Sequence, residues 1–319
     1  MIAMTALEPN QNPSVAVIVP LYNKGEYIAR TLNSILSQTY QNFEIIVVND
    51  GSTDNSPDIV SSYDDPRIKL IHQANAGPGA ARNRGMSETQ ANFVSFLDAD
   101  DEWLPDFLAT SMYHLQTHPD CLLSVTGHCR GVERSSWQHY LPHLKINQGV
   151  WRLPTNAKPK VVKSAIDLLH SGAVICAREV VEKFGGFYCK ERCTYGEDSY
   201  LWLQVLLNYK IYIDPKPLMW HHTEASALGH GRKEPHPPWP KLTDTATIRN
   251  NCPPEYQPLL ESCLAYYALL AAERRIRTGD IFTAQKLLQS FPLTQTFVLK
   301  NLKVRCRLKL TQFLQLLPV

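Results

Sequence analysis

Four short runs of apolar, largely β-branched residues dominate the first hundred positions: "VAVIVP" (15 to 20), "FEIIVV" (43 to 48), "IKLIH" (68 to 72) and "NFVSFLD" (92 to 98). Each has the length and composition of a strand buried on both faces. The segments between them read as helices. Ile28, Leu32, Ile35 and Leu36 recur at helical spacing from Gly25 to Gln38, Ser56 stands where it can cap "PDIVSSY", and "GPGAARNRGMSE" supplies alanine and polar helix formers. The order β-α-β-α-β-α-β predicts an α/β fold with a mainly parallel sheet flanked by helices. Such sheets bind ligands at the carboxyl ends of their strands. With 319 residues, 44% of them hydrophobic, the chain can bury a core of that size.

Beyond residue 120 the pattern weakens, and residues 128 to 160 show no sustained period, as expected of an excursion over the sheet. Regular elements return with "AIDLLH", "AVICA", a helix from Arg178 to the Gly185-Gly186 stop, and an aromatic-rich helix beginning near Glu197. Four prolines in "KEPHPPWP", residues 233 to 240, mark a linker. A helix pair over 258 to 277 and 280 to 289, broken at "TGD", and a third helix over 296 to 317 follow it. The reading is therefore a domain over 1 to 232, a linker at 233 to 240 and a helical region over 241 to 319.

A formal charge of +2 gives no sign of a nucleic-acid partner. The eight cysteines are scattered, without the CxxC pairs or HxxxH spacing of a zinc site, and read as free thiols. Residues 1 to 14 lack the basic start and apolar block of a secretory signal, and no window reaches the roughly 18 apolar residues of a membrane span. The expectation is a cytoplasmic protein. The last helix carries Lys300, Lys303, Arg305, Arg307 and Lys309 among Leu299, Leu302, Val304 and Leu308, with no acids. That composition suits peripheral contact with the inner face of a membrane, and equally suits a helix docked on its own domain.

Three of the strands end in polar residues: "PLYN" at 20 to 23, "NDGSTD" at 49 to 54 and "DADD" at 98 to 101. In a parallel sheet these ends face one crevice. Crowded carboxylates raise one another's pKa unless a cation holds them together, so Asp98 and Asp100 suit Mg²⁺ or Mn²⁺ bridging a diphosphate. Acids at a helix start, favoured by the helix dipole, are the alternative.

The blocks "VIVPLYN", "VVNDGSTDNS", "NAGPGAARNRG" and "VSFLDADDEW", in this order, resemble the nucleotide-sugar-binding half of a family 2 glycosyltransferase with the GT-A fold. The resemblance places that half at about 14 to 103 and an acceptor half at about 104 to 232. It implies that Pro20, Tyr22 and Asn23 border the nucleotide, that Asp50 binds the base, and that Asp98-Ala99-Asp100 holds nucleotide and metal, with Asp100 as metal ligand. Tyr22 offers a stacking face and Asp50 an acceptor for an imide N–H. Arg82 is favoured over Arg84 for phosphate or base, and Asp54 reads as a turn-capping residue.

"GGFYCKERCTYGEDSYLWLQVLL" resembles the family's GGF block followed by a Glu-Asp pair at a helix start, which makes Asp198 the base and Glu197 its neighbour in orienting the acceptor. In "MWHHTEAS", His222 is favoured over His221 as a further metal contact, although the spacing to Ser226 departs from the family pattern. The resemblance implies a metal-dependent inverting transfer of sugar from a nucleotide-diphosphate donor, UDP-linked, to a hydroxyl of a glycan, lipid-linked saccharide or other acceptor. A sugar-nucleotide pyrophosphorylase needs a glycine-rich triphosphate loop, for which "VPLYNKGEYIA" is a poor substitute. A sugar-nucleotide-binding protein without catalysis needs no base, yet Glu197 and Asp198 are present.

Overall fold

A computed structural model describes residues 14–131, 135–136, 140–225 and 239–315. Residues 1–13, Ser226 and residues 233–238 of the proline-rich stretch lie outside the described residues. The chain divides into two compact units, Met1–Leu153 with Ser164–His230, and Pro154–Lys163 with Gly231–Val319.

In the first unit, β1 (Val15–Leu21), α1 (Ile28–Leu36), β2 (Phe43–Asp50), α2 (Ser56–Ser61), β3 (Ile68–Gln73), α3 (Pro78–Ser87) and β4 (Phe93–Phe96) alternate as the apolar runs predict. They are followed by β5 (Glu102–Trp103), α4 (Phe107–Thr117), β6 (Leu123–Arg130), β7 (Ser135–Ser136), α5 (Leu141–Leu144), β8 (Gly149–Trp151), α6 (Pro159–Leu168, of which the residues up to Lys163 are counted with the second unit), β9 (Val174–Ala177), α7 (Arg178–Lys183), α8 (Glu197–Asn208) and β10 (Ile211–His221). The strands form one sheet in the order β3-β2-β1-β4-β9-β6-β10-β5, with β7 paired to β6 and β8 to β10.

β1 pairs in parallel with both β2 and β4, and β2 in parallel with β3. From β9 onward the sheet is mixed: β9 runs antiparallel to β4 and β6, while β10 is parallel to β6. The parallel half is the part whose strands alternate with helices in sequence, because a parallel pair needs a crossover. β1 is central and buried nearly throughout, as its unbroken apolar run requires. β3 differs from its predicted double-sided burial: it is an edge strand with Lys69 and His72 exposed, and an edge tolerates charge.

α2 also differs from its expected cap. Ser56 is the first helical residue, and Asp54 Oδ1 accepts its backbone N–H at 3.1 Å while Asp54 Oδ2 takes the Gly25 N–H at 2.8 Å. Asp54 thus closes the turn, as a carboxylate in such a loop is expected to do. The α7 helix stops at Gly185 and Gly186, both left-handed (φ 75° and 82°). Asn83 on α3 clamps the residue after them, donating to Phe187 O at 2.8 Å and accepting the Phe187 N–H at 2.8 Å. Trp103, fully buried, stacks on Phe107 and donates its indole N–H to Gly172 O at 2.6 Å, which ties the segment after β4 to the approach to β9.

The second unit is helical: α9 (Pro240–Thr243), α10 (Thr245–Asn250), α11 (Gln257–Arg277), α12 (Ile281–Ser290) and α13 (Val298–Gln315). Asp280, in the predicted break, caps α12 by accepting the Thr283 N–H at 3.1 Å. Leu269, Ala272, Ile276, Ala284, Leu288, Val304 and Leu308 make its core. Asn301, Val304 and Leu308 put one stripe of α13 inside, so that helix is held by its own unit.

Candidate active site

The carboxyl ends of β1, β2 and β4 converge as the parallel order dictates. After β1, the Tyr22 ring is half exposed and Asn23 takes a left-handed conformation (φ 51°), so that Asn23 Oδ1 accepts the Thr53 N–H at 2.8 Å and its N–H reaches Ser52 Oγ at 3.1 Å. Pro20 lies in β1 opposite Val48. Asp50, the last residue of β2, is buried and accepts three donors: Gln73 Nε2 at 2.8 Å, Ala76 N–H at 2.8 Å and Gly77 N–H at 2.9 Å. A carboxylate offers about four lone-pair sites, so these bonds shape the loop before α3 and leave one site open.

Arg82 on α3 is buried and its guanidinium joins two halves of the first unit. Nη2 donates to Asp98 Oδ1 at 2.6 Å and Nη1 to Glu197 Oε1 at 2.9 Å, with the group 5.1 Å from the Phe187 ring centroid. Arg84, two residues on, is exposed and pairs with Glu88 at 2.6 Å on the same helix. Helical geometry places residues two apart on different faces. Gly79 lets α3 approach this loop, since a Cβ there would meet Tyr188 O at 2.4 Å.

The acids after β4 occupy unlike environments. Burial raises Asp98, but the Arg82 charge outweighs it and holds that carboxyl below the usual range. Burial and the neighbouring Asp98 push Asp100 up, although Lys24 Nζ donates to Asp100 Oδ2 at 2.5 Å and to Ala225 O at 2.6 Å. Asp101 is driven well above its ordinary value by burial and by both other acids. Its Oδ1 accepts the His222 N–H at 3.0 Å, whereas Oδ2 is buried without a hydrogen-bond partner. Ala99 is buried between the two acids of the motif.

Glu197 and Asp198 open α8 after Gly196, which is left-handed (φ 83°). Glu197 is pushed up to about 7 by burial and by Asp198, against the pull of Arg82. Asp198 is partly exposed and its Oδ1 accepts the Ser199 N–H at 2.6 Å. His222 turns both ring nitrogens to carboxylates, Nδ1 2.8 Å from Glu224 Oε1 and Nε2 3.4 Å from Glu102 Oε2. His221 lies on the other side of the strand end, its ring 4.6 Å from that of His170, and Asp101, His170 and His221 bring ligand-capable atoms within 4.8 Å of one another. His170 is lowered to about 3 by burial and by His221. Sequence reasoning missed Lys24, Asp101 and His170. Asp101 is the third acid of "DADD" and Lys24 follows "PLYN", but His170 has no local pattern around it.

A mixed α/β sheet whose parallel half ends in this group of acids, with an arginine pinned between them, defines the GT-A class of nucleotide-sugar folds. Residues 16–185, more than half of the chain, match the sequence model of glycosyl transferase family 2, and the chain belongs to that family. It is 45% identical over 105 residues to the uncharacterized glycosyltransferase YibD of Escherichia coli (strain K12), a stretch covering 32% of this chain and 30% of that protein. Over 101 residues it is 46% identical to glycosyltransferase GlyA of Streptococcus pneumoniae, covering 31% of this chain and 14% of that one. The matched stretch is thus under a third of either relative. A crystal structure of S. aureus TarS 1-349 in complex with UDP-GlcNAc shares the fold, with a TM-score of 0.64 at 18% identity over 92% of this chain and 88% of that one.

Proposed function

We propose that this chain is a metal-dependent inverting glycosyltransferase that moves a sugar from a nucleotide-diphosphate donor, UDP-linked, to a hydroxyl of a glycan or lipid-linked saccharide. The observation that carries the reading is the bridge Asp98–Arg82–Glu197, which joins the acids at the end of β4 to the Glu-Asp pair that opens α8. TarS, of the same fold, is solved with UDP-GlcNAc, and the mannosyltransferase PcManGT of Pyrobaculum calidifontis, at a TM-score of 0.52, with GDP-Man and Mn²⁺.

In this reading the half-exposed Tyr22 stacks on the base, and the open lone pair of Asp50 accepts its imide N–H. Pro20 and Asn23 border the nucleotide. Asp98 and Asp100 fit a hard divalent cation, Mg²⁺ or Mn²⁺: both offer oxygen, and burial together with the charge of Asp98 raises Asp100 despite Lys24, a cost that a cation would relieve. Such a cation supplies charge neutralisation at a leaving diphosphate. Asp198 takes the proton from the acceptor hydroxyl as that oxygen attacks the anomeric carbon, Glu197 orients the acceptor, and Arg82, paired with Asp98 and Glu197, serves the donor side. Because the acceptor oxygen displaces the diphosphate directly, the anomeric configuration inverts. His222, whose backbone N–H is on Asp101 and whose ring lies between Glu102 and Glu224, would serve in this account as a further contact to that cation beside Asp100.

Residues 1–232 form the catalytic region of this proposal and 241–319 a helical region that meets anionic lipid from outside. Among the described residues no helix is long and apolar enough to cross a membrane. On α13, Val298, Leu302, Lys303, Arg305 and Lys309 are exposed, while Arg307 pairs with Glu273 at 2.6 Å and Lys300 lies 4.3 Å from the Tyr266 ring centroid. The test of the activity is donor turnover by the purified chain with and without Mn²⁺, across UDP- and GDP-linked sugars. Metal-dependent release of UDP is the expected result, and binding of every donor without turnover would leave only a sugar-nucleotide-binding protein.

A further inference from the structure

We propose a second, nitrogen-rich cation site in the first unit, formed by Asp101, His170 and His221, that takes a borderline transition ion such as Zn²⁺ rather than Mg²⁺. The three residues come from separate segments: Asp101 precedes β5, His170 follows α6, and His221 ends β10. Each offers one ligand atom, and those atoms lie within 4.8 Å of one another. Ligands about 2.1 Å from a tetrahedral ion stand about 3.4 Å apart, so side-chain movements of about an ångström close the group on an ion.

A second observation points to a ligand. Asp101 is 1% exposed, and its Oδ2 has no hydrogen-bond partner although Oδ1 holds the His222 N–H. A buried acceptor left unmatched is costly, and an ion at this place satisfies it. Two imidazoles with one carboxylate suit Zn²⁺ or Co²⁺, whereas Mg²⁺ prefers oxygen donors alone. Three protein ligands also leave a fourth position open. Binding of His170 through Nε2 moves its proton to Nδ1 and gives up a 3.3 Å contact with the Gly172 N–H, which is long for a hydrogen bond and cheap to lose. His128 stands behind the group, its ring 5.4 Å from that of His170.

This site borders the Asp98–Asp100 pair, since His170 and His221 help to hold the Asp98 carboxyl low, but it differs in its imidazole ligands, and it does not depend on the glycosyl-transfer reading. Chelator-treated full-length chain is titrated with Co²⁺ while visible d–d absorption is followed. The expected result is one equivalent of Co²⁺ with the intense band of low-coordinate, imidazole-bound cobalt, displaced by Zn²⁺ and not by Mg²⁺. His170→Gln weakens that binding by more than about tenfold, whereas Asp100→Asn leaves it unchanged. Thermal unfolding confirms that the variants fold, and His221→Gln gives the same reading if His170→Gln does not. Absence of the band in the unsubstituted chain overturns the proposal. So does a band that survives both histidine substitutions and disappears in Asp100→Asn, since the ion then belongs to the β4 carboxylates.

Discussion

Arg82 Nη1 donates to Glu197 Oε1 at 2.9 Å across 115 residues of chain, both groups buried. The same guanidinium holds Asp98, so a single side chain neutralises an acid from each half of the first unit. Replacing it with Met keeps much of the volume, strands the buried Glu197 and leaves the partly exposed Asp98 unpaired. Breaking a buried pair in this way costs about 3 to 5 kcal/mol. Arg82→Met is therefore expected to lose that much stability by urea denaturation in mildly alkaline buffer, and a loss below about 1 kcal/mol would mean the acids are solvated.

Glu197 gives the site a pH dependence of known sign. Its folded value of about 7 lies above the ordinary 4.5, so between these the native state keeps a proton that the unfolded chain has released. Its contribution to stability is fully present below about 4.5 and is lost as pH rises through about 7. The stability difference between the unsubstituted chain and Glu197→Gln should fall with rising pH across that window, by up to about 1.4 kcal/mol per pH unit. Melting curves over a pH series measure it, and a flat difference would remove the shift.

In the proposed reaction Asp198 acts on the acceptor while Asp50, Arg82 and Asp98 serve the donor side. Asp198→Asn retains size and the Ser199 contact but not the basic carboxylate. Transfer in single turnover is expected to fall by about 10² to 10⁴-fold with donor affinity by calorimetry unchanged. Normal transfer would move the base to Glu197, and joint loss of folding and donor affinity would make Asp198 a helix-start residue only.

Asp100→Asn should abolish metal-dependent transfer without unfolding the protein. Asp100 is already pushed toward its neutral form by burial and by Asp98, so a neutral amide at this place costs little, and it can still accept from Lys24. The paired measurements are transfer against Mn²⁺ concentration and thermal unfolding. An active variant with unaltered metal dependence would falsify the assignment.

Membrane contact by α13 is best tested by charge, because deleting the helix would strip Val304 and Leu308 from the core of the second unit. Reversal of the exposed Lys303, Arg305 and Lys309 to Glu is expected to abolish sedimentation with phosphatidylserine vesicles at low salt while the melting curve stays in place. Equal sedimentation of both forms would leave α13 as a packing helix.

The alternation from β1 to β4, the stop at Gly185-Gly186, the start of α8 at Glu197 and the break before α12 were all legible in the amino-acid order. Each depends on side-chain periodicity, glycine conformation or a cap, which act over a few residues. The sequence also placed acids at the ends of strands, because a parallel order fixes where those ends go. The partners of those acids were not legible there and are set by the folded arrangement of the strands. Arg82 rather than Arg84 lies on the helix face that meets Asp98 and Glu197, and that bridge spans 115 residues and needs α3 and the start of α8 brought together. Lys24 on Asp100 follows from the neighbouring ends of β1 and β4, and the imidazole of His221 rather than that of His222 near Asp101 and His170 follows from the end of β10 in the mixed half of the sheet. No periodicity encodes those contacts, since charge pairing depends on distance in space and on burial, both set only when the strands have taken their places.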